Sequence, residues 1–401
     1  MPRFLQIHTL TSYPASLLNR DDVGFAKRLP FGGSDRVRIS SQCLKRHWRT
    51  ADHEQALSRV RQDDAELALR SRRTFELHLY EPLLGDGIAE DVAQAVTEEV
   101  VKTVLPESKR KQAAKTEDGD PDRASALHTN QVTVIGRPEI RYLLELARAA
   151  AEGAEDADDA RKRWQANDEG DLRKNLRALT HGAGLDAALF GRMVTGDVLA
   201  RCDAAVHVAH AFTVHPGFFE TDYFSAVDDL NPQGETGSGH INTSELTSGL
   251  YYGYVVLDVP LLISNLEGCP REEWRSADRS LAGEVAGRLV HLIATVSPGA
   301  KLGSTAPYAH ALSMLVEDGS SQPRSLANAY LDPVGQNGSL LLQAQERMAH
   351  HLQALDDMYG RTTERRWAAI EAPDSLADAA GDRLTLPALS EWVADRVREM
   401  Q

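Results

Sequence analysis

Positive charge is concentrated in residues 19–49, NRDDVGFAKRLPFGGSDRVRISSQCLKRHWR. This segment holds eight lysines and arginines against three aspartates, a net charge of +5, whereas the whole chain of 401 residues carries −15. Guanidinium and ammonium groups bind phosphates and carboxylates through charge-assisted hydrogen bonds. A local cationic cluster in an acidic protein therefore indicates an anionic partner at this segment rather than a general affinity for polyanions.

The pattern of the same segment predicts the elements that position these charges. Residues 36–39 alternate like the end of a strand, and Ser40 and Ser41 offer N-caps for a helix over residues 42–51. Phosphates could then meet backbone N–H groups at the helix start and cationic side chains one to two turns later.

The predicted helix has two distinct faces. Leu44 and Trp48 are four residues apart and would pack inward, whereas Lys45 and Arg49, with Arg46 beside them, would lie roughly 100° away. A basic face of this kind fits a phosphate-binding helix. It equally fits a solvated amphipathic helix without a ligand.

In the rest of the chain, the spacing of apolar residues changes from one segment to the next. Helical spacing of apolar residues occurs over 56–105, 138–167 and 171–179, so residues 56–180 are predicted to be a mostly helical insertion. Alternation predicts strands at 3–10, 205–215, 250–258 and 309–316, and helices are predicted at 275–296, 340–357 and 386–398. Residues 12–35 and 108–126 are predicted to be loops. Strands with one helical insertion and one protruding loop predict an α+β protein with an antiparallel sheet.

Composition bounds the class of protein. No apolar run reaches the ~18 residues of a membrane span, and the N-terminus lacks the apolar core of a signal peptide. Cys43, Cys202 and Cys269 are widely separated and lack CxxC spacing. This favours a reducing cytoplasm over a disulfide scaffold or a zinc site.

Three histidines could suggest a metal site. In a strand His207 and His210 would point to opposite faces, so they cannot converge on one ion together with His215. We therefore predict structural histidines and no bound metal.

Two acidic pairs, Asp21 with Asp22 and Asp228 with Asp229, suggest a nuclease that holds Mg²⁺ against a phosphate. Consecutive side chains diverge in regular elements, and no third acidic residue or histidine occurs at a motif spacing. We expect no catalysis, and we expect Asp22 to hold the loop of Arg20 or to cap a turn. The magnesium-dependent alternative stays open at this point.

Seven motifs carry a family resemblance. They are LNRDD at 18–22, FGG at 31–33, VRISSQ at 37–42, GRM at 191–193, VHVAHA at 206–211, YFSAVDDL at 223–230 and PGAK at 298–301. Their types and order resemble those of the CasC-type backbone subunit of the type I-E CRISPR Cascade complex. The likeness is strong over about the first 50 residues and over about 185–330, and weak between them.

The resemblance implies a fold and its division into domains. It implies an RRM-like (ferredoxin-like) antiparallel sheet palm, a helical fingers insertion and a protruding thumb. The predicted bounds are 1–55, 181–215 and 250–401 for the three parts of the palm, the last with the C-terminal helices, 56–180 for the fingers and 216–249 for the thumb. Residues 106–126 look like an insertion beyond the family pattern.

The resemblance also implies a function. Members coat the spacer of a CRISPR RNA as a helical row, bind its phosphates independently of sequence and leave the bases for pairing with target DNA. The implied partners are CRISPR RNA, target DNA, further copies of the chain, and the large, small, capping and RNA-processing Cascade subunits. No enzymatic activity, cofactor or membrane is implied.

The implied contacts fall into three groups. The RNA backbone would be held by Asn19, Arg20, Lys27, Arg38, Ser40, Gln42, Lys45 and Arg49. We add Ser41 and Arg46 to these predicted contacts, because Ser41 is a candidate N-cap and Arg46 lies beside Lys45. Met193 would wedge against a base. Tyr223, at a position where a better-known relative has tryptophan, and Phe224 would enter the guide–target duplex.

Two other classes of function remain. One is a Mg²⁺-dependent ribonuclease of a related CRISPR effector that uses Asp21 and Asp22. The other is an acidic protein that contacts only other proteins.

Overall fold

The computed structural model describes residues 3–60, 69–105, 127–130, 132–167, 172, 184–192, 202–227, 238–335 and 337–399, with the backbone alone at 224–227 and 238–242. The chain forms two compact units. The first comprises Met1–Leu57, Val206–Pro260 and Arg279–Gln401, and the second comprises Ser58–Ala205 and Leu261–Asp278. Residues 184–192 and 202–205, which we predicted in the palm, thus belong to the second unit. So does a segment from the predicted last part of the palm.

The strands in chain order are β1 (Phe4–Ser16), β2 (Arg28–Phe31), β3 (Ser34–Ile39), β4 (Leu69–Ser71), β5 (Thr133–Ile135), β6 (Val206–Val208), β7 (Ala211–Thr213), β8 (Phe218–Val227), β9 (Ser238–Asp258), β10 (Ser313–Gly319), β11 (Thr363–Ala369) and β12 (Asp382–Arg383). Ten of them form the sheet of the first unit in the order β12-β11-β10-β1-β9-β7-β3-β2, with β6 and β8 also paired to β9. All described pairings in it are antiparallel except β11 with β12. The α+β class is confirmed.

The helices in chain order are α1 (Ser41–Thr50), α2 (Glu81–Gly85), α3 (Glu90–Val104), α4 (Arg137–Ala151), α5 (Ala157–Gln165), α6 (Leu185–Phe190), α7 (Val259–Glu267), α8 (Ser280–Thr295), α9 (Leu302–Thr305), α10 (Leu340–Tyr359), α11 (Asp374–Ala380) and α12 (Leu386–Arg398). In the first unit α10 and α11 cover one apolar part of the sheet, which includes Leu10, Tyr252 and Leu315. In the second unit α3, α4 and α5 pack around a separate core. None of the described helices is long and apolar enough to cross a membrane.

Two sequence predictions for strands were wrong in detail. The strand expected over 205–215 is broken into β6 and β7, and residues 12–35, expected as a loop, contain the end of β1 and the strand β2. Residues 108–126 and most of 171–179 lie outside the described residues. Local alternation cannot show where a strand breaks, because the break depends on which neighbour each half pairs with.

The segment 216–249 forms a β-hairpin. Strand β8 pairs with the first half of β9 from Phe218 opposite Ser248 to Val227 opposite Ser238. Pairing of β1 with β9 ends at Ser16 opposite Thr247, so in the described ladders the outer part of β9 pairs with β8 alone. The hairpin therefore extends beyond the rest of the sheet.

The Gly32–Gly33 pair belongs to the sheet. It links β2 to β3 in a two-residue turn, with φ of +60° and +74°, and Phe31 faces Ser34 across it. A Cβ at Gly32 would lie 1.5 Å from the Leu331 carbonyl oxygen. Glycine is therefore required here by backbone conformation and by close packing, without any bound phosphate.

Candidate nucleic-acid interface

Strand β3 leads directly into helix α1, and Ser40 lies at the junction. Its backbone is extended and its Oγ accepts the Cys43 N–H at 3.3 Å, which confirms the predicted N-cap. Trp48 is buried, and half-buried Leu44 packs against the cluster that contains Ile39. The apolar face of α1 thus fixes the helix on the sheet.

The other face of α1 is accessible. Gln42 and Arg46 are exposed, and Lys45 and Arg49 are half-buried. The long side chains of lysine and arginine commonly lie along apolar surface while their charged ends reach water. Burial along the helix therefore follows the two faces that the sequence predicts.

The loop before β2 brings further cations to this junction. The Asn19 Oδ1 accepts the Ser40 N–H at 2.9 Å, and the Lys27 N–H donates to the Asn19 carbonyl at 3.0 Å. The Arg38 N–H in turn donates to the Lys27 carbonyl at 2.8 Å. These bonds hold exposed Arg20, half-buried Lys27 and half-buried Arg38 near the start of α1.

Arg36 of β3 has a structural role. Its side chain is fully buried and donates to three backbone carbonyls, those of Phe31 at 3.2 Å, Thr213 at 3.0 Å and Tyr330 at 3.0 Å. A buried guanidinium with three carbonyl acceptors ties β3 to distant parts of the chain. It is not accessible to a ligand.

Arg28 is also engaged within the protein. It forms an ion pair with buried Glu245, and its guanidinium carbon lies 3.7 Å from the centre of the Phe219 ring. The second oxygen of Glu245 accepts the Ala26 N–H at 2.8 Å, so this carboxylate ties the base of the β8–β9 hairpin to the loop. Arg38 also uses part of its guanidinium within the protein, since its Nε donates to the Arg28 carbonyl at 3.1 Å. Six cations of the segment have accessible side chains outside the Glu245 pair and are the candidates for an anion, namely Arg20, Lys27, Arg38, Lys45, Arg46 and Arg49.

The N–H groups at the start of α1 are largely satisfied by the protein. The Ser41 N–H donates to Nδ1 of His210 at 3.0 Å, and the Cys43 N–H donates to Ser40. Binding of phosphates by bare helix N–H groups, which we expected at Ser40 and Ser41, is therefore disfavoured. The side chains around the junction are the better candidates.

Asp21 closes the loop that carries Arg20. One carboxylate oxygen accepts the N–H groups of Val23, Gly24 and Phe25 at 3.0, 2.8 and 2.9 Å. The structural role that we assigned to Asp22 thus belongs to Asp21, and Asp22 is exposed. Among the described residues no group of three or more histidine, cysteine or acidic side chains could hold a metal ion. Asp228 and Asp229 lie outside the described residues.

Replacing Asp21 by alanine should lower the free energy of unfolding by about 1–2 kcal/mol, because three N–H groups lose one acceptor. Asp22→Ala should change it by less than about 0.5 kcal/mol, as at an ordinary surface position. Chemical denaturation of the two variants measures both values. An equal loss in the two variants would contradict this assignment.

Three predicted contacts lie on other elements. Tyr223 on β8 is 63% exposed, as a side chain that contacts a ligand must be. Met193 and the side chain of Phe224 lie outside what the structure describes. In the second unit Arg192, which precedes Met193, is buried and donates to Glu139 at 2.6 Å. The arginine of the GRM motif therefore has a structural role.

Within the described part of the chain, His207, His210 and His215 belong to no group of side chains that could hold a metal ion. His215 is buried, and its Nδ1 donates to the Pro216 carbonyl at 2.7 Å while its Nε2 accepts the Leu250 N–H at 3.1 Å. His207 and His210 are both exposed, on β6 and just before β7. The prediction of a structural histidine is confirmed for His215.

Sequence reasoning missed two apolar side chains in the Asp21 loop. Val23 is 75% exposed and Phe25 is 53% exposed, between Arg20 and Lys27. Exposed aromatic side chains beside cations are typical of surfaces on which nucleic-acid bases stack, and Phe25 has this character. The position of Val23 and Phe25 in an otherwise polar loop was the signal available in the sequence.

The PGAK motif also lies beside this junction. The Ala300 N–H donates to the Leu17 carbonyl at 2.9 Å, and the Gly299 N–H donates to Nε2 of His47 on α1 at 3.4 Å. Lys301, which follows, is exposed and has a left-handed backbone with φ of +55°. The structure thus brings a motif near residue 300 to the basic segment near residue 40.

The profile of one protein family, described as CT1975-like protein (Cas_CT1975), matches residues 5–393. The chain belongs to the CT1975-like family. None of the curated proteins matches this family member significantly.

Chains in two solved structures resemble this CT1975-like chain. One, in a structure described as "CRISPR RNA-guided surveillance complex, pre-nicking", is 26% identical with a TM-score of 0.75, and the match covers 98% of this chain and 100% of that chain. Another, in a structure described as "CRISPR RNA-guided surveillance complex", is 21% identical with a TM-score of 0.55 and 98% coverage of both chains. The second likeness concerns the fold alone.

Proposed function

We propose that this protein is a non-catalytic RNA-binding backbone subunit of a type I-E CRISPR Cascade complex. Copies of it would polymerise along the spacer of a CRISPR RNA in the cytoplasm, hold the phosphates and present the bases to target DNA. In this proposal the sheet of the first unit is the RRM-like palm, the β8–β9 hairpin is the thumb and the second unit is the fingers. The other Cascade subunits would complete the complex.

One observation supports the proposal most directly. Six cations gather where the loop, β3 and α1 meet, in a protein whose net charge is −15. Cations and small polar side chains bind the phosphates and sugars of any sequence, as a protein that must accept every guide requires. The likeness to chains of CRISPR RNA-guided surveillance complexes agrees with this ligand.

The acidic remainder of the chain fits the same function. Repulsion of bulk nucleic acid by the acidic surface would make stable binding depend on many copies that engage one strand together. Heterologous contacts that do not close produce such a helical row.

The purified assembly tests the proposal. We expect it to carry RNA, seen as a high ratio of absorbance at 260 nm to that at 280 nm, and we expect sequencing to recover repeat–spacer units. Affinity for added RNA should fall by orders of magnitude between about 50 and 200 mM salt, because phosphate binding releases counterions. An assembly free of nucleic acid, or binding that is independent of salt, would rule the proposal out.

Incubation of the complex with complementary RNA or DNA and Mg²⁺ tests the absence of catalysis. We expect no cleavage, because Asp21 is engaged by three backbone N–H groups. Asp21→Asn is the matched control, since the amide oxygen can still close the loop but is a poor Mg²⁺ ligand. Cleavage by the wild type that this variant loses would restore the ribonuclease alternative.

A further inference from the structure

His210 lies at the edge of the basic junction. In the pairing of β3 with β7, Arg38 faces Phe212 and Ile39 faces Ala211, so the next position brings His210 beside the start of α1. The side chain is exposed. Its neighbours include residues for which we propose contact with RNA.

The ring of His210 has a defined protonation pattern. Its Nδ1 accepts the Ser41 N–H at 3.0 Å, so Nδ1 carries no proton and the neutral ring carries its proton on Nε2. Partial burial, followed by the positive charges of Arg38 and Lys27, lowers the pKa of His210 and keeps the ring neutral at pH 7. Among the described residues none accepts a hydrogen bond from Nε2.

The ring of His210 accepts the Ser41 N–H on one side and presents its own donor, Nε2–H, on the other side, farther from the helix. The Ser41 N–H belongs to the positive end of the α1 dipole, and its bond to Nδ1 polarises the ring toward stronger donation at Nε2. The cations nearby attract a nucleic-acid strand at longer range, whereas a ring N–H binds only an oxygen at short range and in a fixed direction.

We propose that His210 is a direct RNA ligand, whose Nε2–H donates to a phosphate or ribose oxygen while Nδ1 stays bound to the Ser41 N–H. The inference rests on the proposed RNA-binding function and adds to it a neutral, directional contact. The acceptor is an oxygen of the nucleotide backbone, supplied either by a phosphate or by a 2′-hydroxyl group.

Two conservative substitutions separate the roles of the two ring nitrogens. Asparagine places an oxygen near the position of Nδ1 and can accept the Ser41 N–H, but its amide is too short to reach the ligand of Nε2. Glutamine places an amide nitrogen near the position of Nε2 and can donate to that ligand. Alanine removes both interactions.

The experiment measures binding of a labelled single-stranded RNA by the full-length protein freed of its co-purified RNA. Affinity should fall about tenfold in His210→Asn and His210→Ala, as expected for one lost hydrogen bond, and His210→Gln should restore most of it. Thermal unfolding should be unchanged in His210→Asn, which separates loss of binding from loss of the helix contact. Equal affinity of His210→Asn and the wild type would overturn the inference.

A deoxyribose strand of the same sequence identifies the acceptor. A loss seen with RNA alone assigns Nε2–H to a 2′-hydroxyl group, and a loss of the same size with both strands assigns it to a phosphate. Failure of the proposed function can be told apart from failure of this inference. A wild-type protein that binds no RNA overturns the proposed function and this inference together, whereas RNA binding that is insensitive to His210→Asn overturns this inference alone.

Discussion

Replacing Lys45 and Arg49 together by alanine is expected to lower the affinity for RNA at least about tenfold, with all sequences weakened alike. Both side chains lie on the accessible face of α1 within the cluster of six candidate cations. Each lost phosphate contact on a single strand should also reduce the slope of log affinity against log salt by about 0.7. Titration of labelled RNAs of several sequences, at several salt concentrations, measures both quantities.

The matched control removes two positive charges from the sheet of the first unit, away from α1. Arg361 lies just before β11 and Arg383 ends β12, and both are exposed at the edge of the sheet opposite β3. Arg361→Ala with Arg383→Ala should leave the salt slope nearly unchanged. A similar loss in both double variants would mean that net charge alone governs binding, and a loss confined to particular sequences would indicate base recognition.

Replacing Glu317 by glutamine is expected to lower the free energy of unfolding by about 1.5–3 kcal/mol, the range for lost hydrogen bonds between charged groups. Half-buried Arg324 loses its counter-charge, whereas buried Arg365 keeps Asp356 at 2.6 Å. The buried carboxylate on β10 accepts Arg324 at 2.7 and 3.0 Å, Arg365 Nε at 2.9 Å, Thr363 Oγ1 at 2.9 Å and His8 Nε2 at 3.2 Å. Denaturant unfolding measures the change.

Glu364→Gln is the control for this prediction. Glu364 lies on the neighbouring strand β11, is 41% exposed and pairs with Arg366 at 3.2 Å and Arg396 at 3.1 Å. Partly exposed pairs contribute little, so its loss should cost less than about 1 kcal/mol. Similar costs for the two variants would show that the Glu317 network adds nothing beyond a surface pair.

The same network predicts a dependence of stability on pH. Burial raises the pKa of Glu317, but hydrogen bonds from His8 and Arg324 outweigh burial and hold the pKa well below the ordinary value of 4.5. The carboxylate therefore contributes stability above about pH 4.5, and that contribution is lost as the pH falls toward the lower pKa of the folded state. Glu317→Gln should flatten this part of the stability profile.

Local sequence patterns were sufficient to predict the elements at the centre of the candidate interface. The alternation before Ser40, the serine N-cap and the two i, i+4 pairs predict β3, the start of α1 and its two faces, because each signal involves only a few adjacent residues. The α+β class and the C-terminal helices α10 and α12 follow from periodicity in the same way.

The tertiary structure decided which charges can bind a ligand. Arg36 and Arg28 look like their cationic neighbours in the sequence, yet Thr213, Tyr330 and Glu245, their partners, lie more than 170 residues away. The sequence predicted that Asp22 holds the loop, whereas Asp21 does so in the structure. This difference likewise depends on the direction of each side chain in a closed loop.

The sequence alone therefore determined the basic segment and the elements that carry it, and it predicted an anionic partner there. The folded chain decided that six of its eight cations remain candidates for that partner, that the N–H groups of the helix start are largely satisfied and that His210 lies beside them. The physical reason is that local patterns depend on near neighbours, whereas burial and hydrogen-bond partners depend on strands that pair across long stretches of chain.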